Sequence, residues 1–492
     1  MSAAAEDRPF VYDEVAYPTP VLPILTPTRI RASGLIFGFR AAPCATASVL
    51  EIGCGDGLNL AGIAAVAPDS RCVGFDLSAD AIARGRAFVE TAGLANIDLR
   101  HGNIMDYPRD GEKFDYIITH GVYAWIPAPV RTALLELIAA RLAPGGVAYV
   151  SYDCMPANAV KLAVNRFLIA HTAGITDPVK RIERAYELVG VLAANQHSGS
   201  RLKLQLDSLV EQMPHYDPGY FFHDFLAEFY GPVTVAEFGA AAAASGLTLA
   251  GDVGLTDIFI GDLEDRGRAM VEAAGADLIA RASLLDMLRG GQTFRKSLLV
   301  RRDAPPPPAD DRLADLTFAY LGNNETGTDE IGPFTKFYIG TDVYMIVRGT
   351  DDLAVVAALE KVAPNELSFD EVVAQSGLAR ETVLPILEKV VTLGLVTIHA
   401  TPQNFVVVPG ERPLAAPLVR AMMPLGDWSF TLRHAKLIAE LEPTRIFLTL
   451  CDGTRTREDL AAAMSAHYGE AVPLERIDAV IADLGPRRVF CA

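Results

Sequence analysis

Ser48-Val49-Leu50-Glu51-Ile52-Gly53-Cys54-Gly55-Asp56-Gly57-Leu58 joins a short apolar run to a helical pattern that continues to Ala67. Ser48 to Ile52 reads as a buried strand. Three glycines then alternate with other residues, which lets the backbone turn tightly at the strand end and approach a ligand closely. A dinucleotide-binding loop has the form GxGxxG. Here Leu58 stands at its sixth position and the third glycine, Gly57, falls one residue early. By itself such a loop is a weak signal, because a purely structural turn produces the same letters. Its surroundings decide what it means.

Working outward, the pattern repeats. Cys72 to Phe75 reads as a second strand, Ala79 to Ala92 as a helix, Ile97 to His101 as a third strand and Phe114 to Thr119 as a fourth. Val130 to Leu142 is a further helix, and Val147 to Tyr152 a fifth strand. Strands alternating with helices imply crossover connections and a mostly parallel sheet covered on both faces, with ligands bound beyond the strand carboxyl ends. Residues 157 to about 240 are mainly helical, after which Leu247 to Asp252 and Phe294 to Arg302 read as two strands returning to the sheet. The expected fold is α/β: a Rossmann-like, seven-stranded sheet with a helical cap inserted between strands five and six.

The ExGxGxG form suits the aminoacyl part of S-adenosylmethionine better than a pyrophosphate. Glu51, Gly53, Gly55 and Asp56 are therefore the expected cofactor loop. Asp76 and Leu77 follow the second strand, where an acidic side chain can accept from both ribose hydroxyls; a plain surface aspartate is the alternative. Asn103 and Ile104 follow the third strand, where a polar and an apolar side chain can meet the adenine, although aspartate is more usual at Asn103. His120 ends the fourth strand and is expected to touch the cofactor or the backbone. Together these positions fit a class I methyltransferase, which is the expected fold class.

Transfer to a nucleophile needs alignment, desolvation and a route for a proton, but no covalent enzyme nucleophile. Tyr17, Tyr123, Trp125 and Asp153 are the candidates for the acceptor side, with Tyr12 and Tyr152 nearby in sequence. Packing is the alternative role for Tyr123 and Trp125. Asp153 is the preferred partner for a cationic acceptor.

Composition sets bounds. At 492 residues the chain is long enough for two to four domains. A formal net charge of −18 opposes nucleic-acid binding and mildly favours a cationic or neutral substrate. The six cysteines form no CxxC pair and no cluster with the nine histidines, so reduced thiols and no metal site are expected. The start lacks a secretory pattern and no stretch reads as membrane-spanning, so a cytoplasmic protein is expected.

Four consecutive prolines, Pro305 to Pro308, mark the clearest boundary. The expected organisation is an amino-terminal lid over 1–46, the methyltransferase core over 47–156, a cap or regulatory insertion over 157–245, closing strands over 246–303, a linker over 304–311 and a carboxyl-terminal domain over 312–492. In that last part, helices over Ser368–Ser376 and Ala379–Leu393 meet at Gly377 and lead to the strand Leu395–Ala400, a mostly α, winged-helix-like pattern. Ser368 and Glu371 fit a capping box. Glu381 and Glu388 beside Arg380 and Lys389 deny the second helix the basic face of a DNA reader.

Several longer motifs carry a family resemblance: Tyr12-Asp13-Glu14 with Tyr17-Pro18 and Thr26-Pro27-Thr28-Arg29; Gly121 to Pro127 with Val130-Arg131; Gly146 to Tyr152; Tyr220 to Leu226; Thr293 to Leu299; Leu432-Arg433-His434; and Leu450 to Arg455. Over most of its length the chain resembles the bacterial protein lysine methyltransferases that modify outer-membrane proteins and carry a methyltransferase regulatory domain. The resemblance implies S-adenosylmethionine as cofactor, a lysine ε-amine on a protein or peptide as acceptor, an amino-terminal segment closing over the site and a tail that helps hold substrate. The chain departs from the family at Thr26, where histidine is usual, and at Met155-Pro156-Ala157-Asn158, where a tyrosine-proline-glycine-tryptophan run is usual. A small-molecule or peptide-natural-product acceptor, and a non-catalytic cofactor-sensing protein, are the alternatives.

Overall fold

The computed structural model describes residues 15–17, 22–258, 260–261, 263–304, 313, 315–321, 324–339 and 343–492. The expectations placed on Tyr12 to Glu14, on Pro18 and on the proline run lie outside these residues. The first long helix, α1 (Pro27–Ile36), starts at Thr26, whose Oγ1 accepts the Arg29 N–H at 3.4 Å. Thr26 is thus a helix cap, and the proline behind it sits where its missing N–H is not needed.

Among the described residues, β1 (Ser48–Ile52), β2 (Arg71–Asp76), β3 (Ile97–His101), β4 (Phe114–Thr119), β5 (Leu142–Asp153), β6 (Leu247–Asp252) and β7 (Phe294–Arg301) form one sheet in the order β3-β2-β1-β4-β5-β7-β6. β1 to β5 run parallel, and β7 lies antiparallel between β5 and β6. The order reverses direction across β1 and β4, which opens a crevice at their carboxyl ends.

Helices α2 (Leu58–Val66), α3 (Ala79–Thr91) and α4 (Ala128–Arg141) make the crossovers. One face of the sheet packs Leu50, Ile52, Val73, Ile117 and Val150 against α4 and Phe238. The other packs Val49, Tyr116, Ile118 and Tyr149 against Ile30 of α1 and Leu60 and Ile63 of α2. Burial on both faces is why these strands read as continuous apolar runs rather than as alternating ones.

The cap consists of α5 (Ala159–Thr172), α6 (Pro178–Ala194), α7 (Arg201–Gln212) and α8 (Pro218–Phe225) around its own apolar cluster. Asp177 and Asp217 cap α6 and α8, each followed by a proline at the first helical position. α9 (Val235–Ala244) leads into β6. Two helices that the hydrophobic pattern did not reveal, α10 (Asp265–Ala273) and α11 (Leu278–Leu288), separate β6 from β7. Their alanines and glycines blur the apolar stripe, so the segment expected to hold only closing strands also carries this helical pair.

Beyond residue 312, among the described residues, the buried apolar side chains gather mainly in two clusters. The first encloses α12 (Thr350–Val362), α13 (Phe369–Ser376) and α14 (Arg380–Thr392) with the antiparallel sheet β12-β8-β13, where β8 is Thr317–Tyr320, β12 Glu366–Ser368 and β13 Val396–His399. The Ser368–Glu371 capping box and the left-handed Gly377 are both present. A separate sheet, β9 (Asn324–Asp329), β10 (Gly332–Ile339) and β11 (Val343–Val347), projects between β8 and α12.

The second core holds β14 (Phe405–Val406), α15 (Pro417–Met422), the pair β15 (Trp428–Phe430) and β16 (Lys436–Ile438), α16 (Glu442–Leu450), α17 (Arg457–Tyr468), α18 (Leu474–Leu484) and β17 (Phe490–Cys491). α1 joins the first of these cores to the sheet: Arg29 Nη1 donates to Ile398 O at 2.7 Å and Arg31 Nη2 to Asp315 at 2.8 Å. Residues 27–36 are therefore a buried wedge, and among the described residues of the expected lid Val15 to Tyr17 lie against the cap.

Arg295 on β7 is 3 % exposed and donates to Asp252 of β6 at 2.8 Å and to Asp286 of α11 at 2.7 Å. Ser297 Oγ donates to the other Asp252 oxygen at 2.9 Å. Removing the cation would leave two buried carboxylates facing each other. Arg295→Met is expected to lower unfolding stability by about 3–5 kcal/mol, read from urea denaturation.

Candidate cofactor and acceptor site

The glycine loop is built against the end of β2. Gly53 and Cys54 both donate N–H to Phe75 O, at 2.9 and 3.2 Å, and Gly55 N–H donates to Asp76 Oδ2 at 2.8 Å. Gly53, Gly55 and Gly57 have φ of 73°, 57° and 73°, a left-handed backbone that side chains resist. A Cβ at Gly53 would come within 2.6 Å of Val122. The loop then enters α2, whose first turn Asp56 supports by accepting Leu58 N–H at 3.4 Å.

A cavity of about 2020 Å³ opens at the carboxyl ends of these strands. Glu51, Gly53, Gly55, Asp56, Asp76, Leu77, Asn103, Ile104 and His120 all line it, as do Tyr17, Trp125 and Asp153. Tyr123 does not. Its ring packs in the core, edge-on to Phe238 at 5.1 Å and to Tyr152 at 6.0 Å, because Val122 and Trp125 take the cavity side of that turn. Tyr152 is likewise fully buried, its hydroxyl 3.3 Å from Ser297 Oγ.

At the loop, Glu51 is 4 % exposed; Asn59 donates to its Oε1 at 3.0 Å, while Oε2 is buried with no partner. Burial pushes its pKa up to about 8, helped by the nearby charges of Asp56 and Asp76 and opposed by Asn59. Asp76 accepts from Gly55 N–H and, through Oδ1, from Ser78 N–H at 2.9 Å, which fixes its carboxylate at the rim. Asn103 Oδ1 accepts Met105 N–H at 2.9 Å, so its amide NH₂ is what it can offer a ligand. His120 Nδ1 lies 3.0 Å from Tyr149 OH and 3.2 Å from Ser151 Oγ. Burial, and secondarily the charge of Lys296, drives its pKa down to about 4, so the ring is neutral at neutral pH.

The other end of the cavity is a chamber of acids and rings. Asp153 and Asp224 both accept from Lys161 Nζ, at 3.0 and 2.8 Å, and Tyr230 OH donates to Asp153 at 2.5 Å. The Lys161 ammonium lies 5.0 to 5.4 Å from the ring centres of Tyr230, Phe225 and Trp125. Burial works against this charge, yet Asp224 and Asp153 outweigh it and raise the lysine pKa. Tyr17 adjoins the chamber, its ring 6.3 Å from Tyr220 and 5.8 Å from His223, whose Nε2 meets Val15 O at 2.7 Å. In the departing segment, Asn158 donates to Cys154 O at 3.0 Å and to Thr293 O at 2.5 Å, pinning the start of α5 beside the cavity.

Two family models match: a methyltransferase domain over residues 49–146 and a predicted methyltransferase regulatory domain over 217–301. Uncharacterized protein RP028 of Rickettsia prowazekii is 30% identical over 218 residues, a match covering 44% of this chain and 87% of that protein. The chain belongs to the class I S-adenosylmethionine-dependent methyltransferases. Uncharacterized protein RP789 of the same organism is 28% identical over 297 residues, 59% of this methyltransferase and 53% of RP789, so the match spans about half of that relative's length. In fold, PKMT2 from Rickettsia typhi, solved in complex with AdoHcy, superposes with a TM-score of 0.80 at 20% identity, covering 96% of this chain and 99% of that one.

The methyltransferase's own residues suit that cofactor. An orphaned, buried carboxylate oxygen on Glu51 is a acceptor for a cationic donor, and the bare loop backbone leaves room beside it. Sequence reading missed Lys161, which follows Asp153 closely on α5, and Asp224 and Tyr230, which lie far along the chain from it; only Asp224 fell within a quoted motif.

Pairing with a cation would return Glu51 to its charged form. With a pKa pushed up to about 8 by burial, the carboxyl is mostly protonated at pH 7, so pairing with a cation must expel the proton. Calorimetry of cofactor binding in buffers of different ionisation enthalpy is expected to show release of roughly one proton per cofactor at pH 7, falling toward zero in Glu51→Gln.

Proposed function

We propose that this methyltransferase methylates the ε-amine of a lysine side chain on a protein or peptide, holding its cofactor through Glu51, the Gly53–Gly57 loop, Asp76, Leu77, Asn103, Ile104 and His120. The observation that carries this reading is the chamber itself: two carboxylates and three aromatic rings already surround one primary ammonium, Lys161. Such a set recognises alkylammonium groups through charge and the negative faces of the rings. One ammonium against two carboxylates leaves net negative charge for a second cation arriving through the cavity.

The cofactor, when bound, supplies an electrophilic methyl group on a sulfonium. The chain does the rest. A lysine of solution pKa about 10.4 needs about 4.6 kcal/mol to present a neutral amine at pH 7. Burial between Trp125 and Tyr17 disfavours the charged form, and Asp153 or Asp224 stands ready to receive the proton. Burial raises the Asp224 pKa even against Lys161, which makes it a better proton acceptor than a solvated carboxylate. His120, neutral and tied to two hydroxyls, orients rather than titrates.

A cavity of about 2020 Å³ exceeds the roughly 300–1,000 Å³ of sites for single small ligands, and supports a cofactor together with a polypeptide segment. The test is transfer of isotope-labelled methyl groups into a bacterial protein extract with mass mapping. Label is expected on lysines, and an extract whose amines were blocked by exhaustive acetylation should take none. Label confined to small metabolites, or equal label after blocking, would overturn the lysine reading.

A further inference from the structure

The second carboxyl-terminal core reaches the cofactor loop from behind. Leu418, Met422 and Phe430 pack with Leu58, Ala65, Phe88 and Leu94, on and beside α2 and α3. From the turn between β15 and β16, His434 projects into this seam. It is 2 % exposed and adopts φ of 60°, a conformation a side chain rarely takes, and it lies so close to α2 that a Cβ at Gly62 would come within 2.3 Å of its ring. Trp428 and Lys436, flanking it on β15 and β16, line the cavity.

His434 Nε2 lies 2.8 Å from Asn59 Oδ1, and Asn59 Nδ2 donates to Glu51 Oε1 at 3.0 Å. The bonding order is forced. Once Glu51 is ionised, as pairing with a cation requires, the amide must turn its NH₂ to the carboxylate, so its oxygen faces the imidazole and accepts, which puts the ring proton on Nε2. Burial pushes the His434 pKa down to about 4, in keeping with a neutral ring, and its Nδ1 is buried with no partner.

We propose that His434 is a positioning residue of the cofactor site: by fixing the Asn59 amide it holds the Glu51 carboxylate with its unpartnered oxygen presented to the cationic aminoacyl end of S-adenosylmethionine. The carboxyl-terminal region is then part of the cofactor site. Without the imidazole, Asn59 is free to turn over and set its own oxygen against the carboxylate, or Glu51 relaxes away from the cavity. This inference rests on the reading of Glu51 given above, and the test separates the two.

The measurement is calorimetric titration of the full chain, without turnover, using S-adenosylmethionine, AdoHcy and 5′-methylthioadenosine, which lacks the aminoacyl part. His434→Ala is expected to weaken the first two by about tenfold to a hundredfold and to leave methylthioadenosine within about twofold. His434→Gln, whose amide nitrogen can donate from near the Nε2 position, should recover most of the loss. Gly62→Ala, which displaces the ring with His434 intact, should give the same selective loss and serves if His434→Ala does not fold. Glu51→Gln should show the selective loss too, with no further loss on adding His434→Ala.

If Glu51→Gln binds all three ligands as the wild type does, the reading of Glu51 fails. If Glu51→Gln is selective but His434→Ala and Gly62→Ala weaken all three ligands equally, or none, the positioning role fails. Additive losses in the double variant would also overturn it.

Discussion

A carboxylate stripped of water at the end of β1 is the constraint around which this molecule is arranged. Glu51 is buried, its pKa is raised to about 8, and one of its oxygens has no partner. A fold that gained only stability from that position would fill it with an apolar side chain, since an unsatisfied buried charge costs free energy. The neighbours are arranged to keep it there. β2 ends in Asp76, which ties down Gly55; α2 begins at the left-handed Gly57; Asn59 in its first turn bonds the carboxylate; and the last core of the chain closes over that helix. Sheet, loop and carboxyl-terminal region thus meet at one charged group.

The chamber at the other end of the cavity balances charge differently. Asp153 comes from the tip of β5, while Lys161, Asp224 and Tyr230 come from the cap or its exit. Each ion there is satisfied by another, so the cap is fastened to the sheet by polar contacts that also shape the acceptor space. In the proposed reaction the same carboxylates attract a cation and accept its proton, two demands that a partly desolvated pair of acids meets together.

Much of the sheet was legible because its central strands are buried on both faces and separated by punctuating glycines; Ser48 to Ile52 and Phe114 to Thr119 appear with the bounds their apolar runs imply, and the edge strand Ile97 to His101 with the bounds of its alternating pattern. The cofactor loop was legible because left-handed turns demand glycine. Tyr123 was misplaced on the acceptor side: within a turn such as Gly121 to Trp125, sequence order does not say which aromatic faces the cavity and which faces Phe238. Lys161 carried no local signal, and His434 stood only within the Leu432–His434 motif, which assigned it no contact. A lysine on a helix reads as a solvated face, and a histidine in a turn as surface, until tertiary contacts place them against Asp153 and Asn59.

Parallel titration of the wild-type chain with S-adenosylmethionine, AdoHcy and NAD bears most directly on the site formed by Glu51, the glycine loop and Asp76. Micromolar binding of the first two ligands and none of NAD is the expected result. Binding of NAD, or of no ligand at all, would contradict it.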